Sequence, residues 1–177
     1  GRLSSVNSIN WARLAGQIPY YVSAKAQLGG AATFVVPTGN FGDIFAGSVA
    51  RAMGLPIRRL IVATNQNDIL HRTLETGRHV KEGVAPSISP SMDIQVSSNF
   101  ERALFSAYDG DGGAVAQLMD ELKSGGFTIS QGAREHLAGI FDSGRVSEPE
   151  TLATIARVRA EIDLARLDGR APFQGAQ

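Results

Sequence analysis

Between residues 8 and 28 the apolar side chains Ile9, Ala12, Leu14, Ala15, Ile18, Tyr21, Val22 and Ala24 recur at steps of three and four, and Gly29-Gly30 closes the series. That spacing predicts an amphipathic helix with glycine as its stop. Pro19 lies inside it and predicts a kink or break near Gln17, because the ring removes a donor and crowds the preceding turn. At 32–36 the pattern becomes a near-continuous, β-branched apolar run, the mark of a strand covered on both faces. A helix is expected at 43–53, with Gly54 as its stop and Pro56 beyond. The run RRLIVA at 58–63 reads as a second buried strand. Strand, helix and strand within about 30 residues predict a right-handed crossover with parallel strands.

Further along, TNQNDILHRTLETG reads as a loop and a short helix that Asn67 or Asp68 could cap. Gly83, Pro86, Pro90 and several serines predict an ordered loop without regular structure over 78–96. Helices are expected at 99–108 and 114–123, a short strand from Phe127 and a helix over 131–141. Ser147-Glu148-Pro149-Glu150 forms a capping box with proline in the first turn. It launches a helix whose apolar stripe is Leu152, Ile155, Ala156, the stem of Arg159, Ile162 and Ala165. The elements predict an α/β fold, an open parallel sheet flanked by helices, and 177 residues at 43% hydrophobic content fit one domain over 1–177.

Charge and cysteine content narrow the chemistry. Seventeen basic and seventeen acidic side chains balance, so no global field draws nucleic acid or a membrane surface, and any anion must be bound locally. The chain has no cysteine, which excludes disulfides, thiolate metal sites and cysteine nucleophiles and fits a reducing compartment, the cytoplasm being expected. No apolar run approaches a membrane span, so a soluble protein is expected.

The turn Pro37-Thr38-Gly39-Asn40-Phe41-Gly42 joins the end of a predicted parallel strand to the start of a helix, where ligands sit in open α/β sheets. Gly39 and Gly42 lack β-carbons, so the backbone is free to take positive φ and approach a ligand closely. Several N–H groups would then converge at the positive end of a helix dipole, a site for phosphate. Neither common phosphate-loop motif is present, and the loop has no lysine, which disfavours a nucleoside triphosphate. A tight turn that needs glycine for geometry alone is the alternative. Asp43 would point outward and complement the dipole, and Phe41 reads as a core plug.

The blocks SINWAR, VPTGNFGDIFAG, MGLPIRRLIVATNQNDILHR and SPSMDIQVSSNFERALF occur in this order, and together they resemble threonine synthase, a pyridoxal-phosphate enzyme of fold type II. The resemblance covers about residues 3–147. It implies an enzyme that converts O-phosphohomoserine and water to threonine and phosphate, a small-molecule reaction with pyridoxal 5'-phosphate as cofactor. By resemblance, Gly39, Asn40, Phe41, Gly42 and Asp43 form the cup for the cofactor phosphate, with Asn40 and Thr38 as side-chain donors. The family's cofactor-binding lysine belongs to an earlier Phe-Lys-Asp segment, and a later block resembling DPHTA faces the pyridine nitrogen; neither occurs here. The resemblance therefore implies an incomplete large domain, inactive alone and dependent on a missing remainder or an oligomeric partner. The alternatives are another fold type II lyase, such as threonine dehydratase, or a non-catalytic phosphate binder or structural fragment.

The other polar groups have simpler readings. Lys25, Lys81 and Lys123 are the only lysines and read as solvated amines. His71, His79 and His136 lack metal-ligand spacing and read as surface or capping residues. Asp109-Gly110-Asp111-Gly112-Gly113 lacks the later ligands of a calcium loop, so no metal is expected. Ser97-Ser98-Asn99 reads as a helix start capped by Ser98 or Asn99, or alternatively as a polar wall facing a substrate phosphate. Asn10 and Arg13 share a helix face, in packing and surface roles or with Arg13 on a substrate phosphate. Asn65, Asn67 and Asp68 follow a strand's carboxyl end and could reach the cleft.

Overall fold

The structure, a computed structural model, describes residues 9–161. The first helix, α1 (Trp11–Leu28), begins at Asn10, whose side chain accepts from the Ala12 N–H at 2.9 Å. It runs unbroken through Pro19, so the expected break does not occur. Strand β1 (Ala32–Pro37), helix α2 (Gly42–Ala52) and strand β2 (Ile57–Thr64) form the expected unit, with β1 and β2 parallel and Val36 opposite Val62. Gly54 ends the helix at φ 100°, a conformation that costs a glycine little.

Next come α3 (Ile69–Thr76) and the short strand β3 (Arg78–Val80), which falls in the stretch expected to be irregular. One 3₁₀ turn at Pro90–Met92 interrupts the loop that follows. Helices α4 (Phe100–Ala107) and α5 (Gly112–Lys123) lead to β4 (Gly126–Thr128), which pairs antiparallel with β3, His79 opposite Phe127. Helix α6 (Gln131–Ala138) stops short of the expected boundary. Its place from residue 141 is taken by β5 (Phe141–Arg145), the third parallel strand, paired from Leu60↔Phe141 to Thr64↔Arg145. The sheet order is β1-β2-β5. Phe-Asp-Ser-Gly-Arg has turn-forming side chains, and only its backbone pairing makes it a strand.

Helix α7 (Glu148–Glu161) starts at the expected capping box: the Ser147 N–H donates to Glu150 Oε2 at 2.8 Å, and the Glu150 N–H returns to Ser147 Oγ at 3.4 Å. Its stripe is open, with Leu152 and Ile155 about half exposed; Ile162 and Ala165 lie outside the described residues. The strands are also less enclosed than their composition predicts. Val36, Leu60, Val62 and Phe141 are buried in one core, whereas Val35 is 63% exposed and β2 alternates between buried and more open positions. A β-branched run records apolar side chains on both faces of a strand, but among the described residues the helices bury one. Phe41 sits at the centre of that core, edge-on to Phe100 and Phe141 with ring centroids 5.2 Å away in each case.

Candidate functional site

The turn between β1 and α2 lies at the carboxyl end of a parallel strand. Thr38 anchors its first residue: its N–H donates to the Ala63 carbonyl at 2.8 Å. The Thr38 hydroxyl donates to the Val36 carbonyl at 2.6 Å, so its proton is already spent and it does not serve as the expected ligand donor. The conformation also departs from expectation, because the left-handed residue is Phe41, at φ 62°, rather than Gly39 or Gly42. Burial of the Phe41 ring holds a backbone state that a phenylalanine rarely adopts. Gly39 is required for a different reason: a β-carbon there would lie 2.6 Å from the Ser91 carbonyl oxygen.

From Gly39 to Ile44, no backbone N–H donates to an acceptor among the described residues, and no side chain caps α2. These residues line a pocket of about 270 Å³, closed on one side by Arg13 and Gln17 of α1 and on another by Ser91 and Met92. The donors are of the kind that an oxyanion takes, since a helix start offers both N–H groups and a positive dipole end. The exposed Arg13 guanidinium makes no ion pair or hydrogen bond with a described residue, and neither does the Asn40 side chain. Asp43 is exposed and also borders the pocket. Partial loss of water raises its carboxyl above the ordinary value of 3.8, and contact with the Tyr21 hydroxyl works against that shift. That hydroxyl donates to the Asp43 backbone oxygen at 3.0 Å, and burial, reinforced by Asp43, raises its own pKa.

The Ser97-Ser98-Asn99 block, expected as a capped helix start with a polar wall as the alternative, touches the turn from behind. Ser97 Oγ donates to the Gly39 carbonyl at 2.6 Å, and the Asn99 N–H and Nδ2 both donate to the Asn40 carbonyl at 3.1 Å. Asn99 occupies the cap position of α4, but its side chain does not cap that helix. Between the two, the Ser98 hydroxyl is buried without a hydrogen-bond partner.

Asn65 and Asn67 hold the pocket's far wall. Both donate to Asp93 Oδ1, at 2.7 and 2.9 Å, and Ser87 donates to the same carboxylate through its hydroxyl and its N–H. Led by the Ser87 hydroxyl, these bonds lower the Asp93 pKa, and they fix the segment that carries Ser91 and Met92. Asp68 caps nothing through its side chain, which pairs with Arg72 at 2.8 Å and Arg145 at 3.0 Å. Burial alone would raise its pKa, but those two arginines hold it below the usual range.

His79 is neither a surface nor a capping residue. Its ring is buried, stacked between Phe100 and Phe127, and its Nδ1 lies 2.8 Å from Thr73 Oγ1. The Thr73 hydroxyl proton goes to the Ile69 carbonyl, which leaves Nδ1–H as the donor. Burial, with a smaller push from Arg72, lowers the His79 pKa to about 4. The sequence hid this role because a neutral histidine packs as a flat apolar ring that no spacing announces. His71 bonds Ser143 at 2.9 Å and His136 bonds Ser106 at 3.4 Å. Lys81 and Lys123 are exposed, Lys25 is half-buried, and none of the three lines the pocket. No cluster of metal-ligating groups and no helix long and apolar enough to cross a membrane occurs among the described residues.

No family model matches the chain. It is 54% identical over 161 residues to threonine synthase of Pseudomonas aeruginosa, covering 89% of this chain and 34% of that protein. The crystal structure of pyridoxal-phosphate-bound threonine synthase from Brucella melitensis superposes with a TM-score of 0.86 at 55% identity, over 90% of this chain and 35% of that one. Yeast threonine synthase superposes at 0.82 with 42% identity, over 86% and 33%. Fold and comparisons together define the class: an α/β chain, a parallel sheet flanked by helices, with the architecture of threonine synthase structures. Within it the chain is a homologue of threonine synthase, and it spans about a third of the length of the relatives it matches.

Proposed function

We propose that this chain is the part of a threonine synthase that grips the phosphate of pyridoxal 5'-phosphate, in a whole protein that converts O-phosphohomoserine and water to threonine and phosphate. The observation that carries the reading is the row of N–H groups from Gly39 to Ile44 without protein acceptors, at the edge of a pocket. Gly39, Asn40, Phe41, Gly42 and Asp43 supply main-chain donors, and the dipole of α2 adds a partial positive charge. Arg13 offers a full positive charge on the same pocket, placed to meet a cofactor or substrate phosphate. When bound, the cofactor supplies an electron sink for bond changes at the amino acid's carbon atoms. Lys25, Lys81 and Lys123 stand away from the pocket, so this stretch alone anchors the cofactor without joining it covalently. The cytoplasm, with its reducing conditions, suits a cysteine-free chain of this kind.

Titration with pyridoxal phosphate and with inorganic phosphate tests the reading. Both should bind, and Gly39→Val should abolish binding of both, because its β-carbon meets the Ser91 carbonyl and forces the turn open. A Gly39→Val protein that folds and binds pyridoxal phosphate like the parent overturns the assignment of the turn. Borohydride reduction with one equivalent of pyridoxal phosphate, read by mass spectrometry, should label none of the three lysines stoichiometrically, leaving at most slow, unselective labelling of exposed amines.

A further inference from the structure

We infer that Ser97 and Asn99 are positioning residues that set the direction of the Asn40 and Phe41 N–H groups; the inference rests on the phosphate reading above. No peptide bond among the described residues is cis. In a trans peptide, the carbonyl of one residue and the N–H of the next point in opposite directions. Ser97 holds the Gly39 carbonyl and Asn99 holds the Asn40 carbonyl from two donors. The N–H groups of Asn40 and Phe41 are therefore turned away from the Ser97-Asn99 side, toward the pocket that both residues line.

The latch matters because the turn has a reason to move. Flipping the Asn40–Phe41 peptide changes ψ of Asn40 and φ of Phe41 together, and Phe41 is held at an unfavourable φ of 62°. A flip that relieved Phe41 would turn its N–H out of the pocket. Asn99 opposes this with a fixed side chain. It is fully buried, and its Oδ1 accepts from Arg102 Nε at 3.2 Å, which leaves Nδ2 facing the Asn40 carbonyl. Arg102 is itself held by the Ile9 carbonyl at 2.8 Å and lies over the Trp11 ring. The SSNFER block thus acts on the ligand through the peptide planes of GNFG, without touching it.

The test titrates ¹⁵N-labelled protein with inorganic phosphate, then with pyridoxal phosphate, following the Asn40 and Phe41 amide signals while thermal melts report folding. Asn99→Asp keeps the size and the acceptor for Arg102 but sets an acceptor against the Asn40 carbonyl. It should raise the phosphate dissociation constant about tenfold, the worth of one hydrogen bond. Ser97→Ala should raise it about fivefold, and Ser97→Thr, which keeps the hydroxyl, should restore it. A purely structural role would lower the melting temperature and leave the dissociation constant of the folded protein unchanged; that result overturns the latch. Should Asn99→Asp not fold, the Ser97→Ala and Ser97→Thr pair decides alone. Wild-type Asn40 and Phe41 amides that ignore both ligands would sink the phosphate reading, and the latch with it.

Discussion

Two glycine-rich turns open helices in this chain, and they treat the same free N–H groups in opposite ways. At α5, Asp111 folds back on the helix and its Oδ1 accepts from the Gly113 and Ala114 N–H groups at 2.9 and 3.0 Å. At α2, the corresponding position is Phe41, which has no side-chain acceptor and leaves the N–H groups open. Each turn contains a non-glycine residue at positive φ, Asp109 at 52° and Phe41 at 62°. Asp109 is exposed and of a residue type that tolerates this conformation, whereas Phe41 tolerates it poorly and is held by burial. A helix start that caps itself has nothing left for a ligand. One whose cap position is spent on a core plug keeps its donors, provided the surroundings hold the backbone still.

Removing the plug should break the contrast most severely. Phe41 is 1% exposed and touches Phe100 and Phe141, so Phe41→Ala should lose about 3–5 kcal/mol of unfolding free energy in urea. A loss below about 1 kcal/mol would mean that the ring does not hold the core together.

Acid should separate the two turns next. His79 supports Phe100, which supports Phe41, so the buried imidazole lies beneath the α2 turn. Its folded pKa of about 4 is below the ordinary 6.5, so the folded state resists protonation. The sign follows: this stability is complete above about pH 6.5 and is lost as pH falls toward 4, up to about 3 kcal/mol. Exchange of the hydrogen-bonded Thr38, Phe45 and Asn99 amides that frame the α2 turn, compared at pH 7 and pH 5 after correction for intrinsic rates, should show opening there before it appears at Gly113 and Ala114. Equal opening at both turns, or a pH-insensitive melt, would uncouple His79 from the site. His79→Gln should flatten the melting curve's dependence on pH in this range.

The sequence carried the crossover unit and its turn clearly, because helix spacing, strand runs and glycine stops are local signals. It announced the capping box of α7 for the same reason. It did not announce β5, whose Asp142, Ser143 and Gly144 become strand only by pairing with β2. Nor did it place the strain at Phe41: glycine flanks that residue on one side and was the natural candidate, yet Gly39 serves a close approach to Ser91 instead. The Ser97-Asn99 contacts join residues 58 and 59 positions apart, a relation that spacing along one chain does not encode. The motif was legible, and the hands that hold it were not.

The mildest change tests whether open N–H groups are sufficient. Asp111→Ala deletes the self-cap of α5 and should cost about 1 kcal/mol, lowering the melting temperature by about 2–4 °C. It also creates a second helix start with free N–H groups beside a glycine-rich turn, a copy of α2 in that one respect. At the α5 start Gly112 shares a pocket with Arg102, but that guanidinium is already bonded to Asn99 and the Ile9 carbonyl. The walls of Ser91 and Met92 that enclose the ligand space at α2 are not part of that pocket. Phosphate should therefore still move the Asn40 and Phe41 signals in this variant and leave those of Gly113 and Ala114 unmoved. If the α5 amides instead responded at the same phosphate concentration as those of α2, bare donors at a helix end would suffice. The pocket, Arg13 and the backbone latch would then add nothing to recognition.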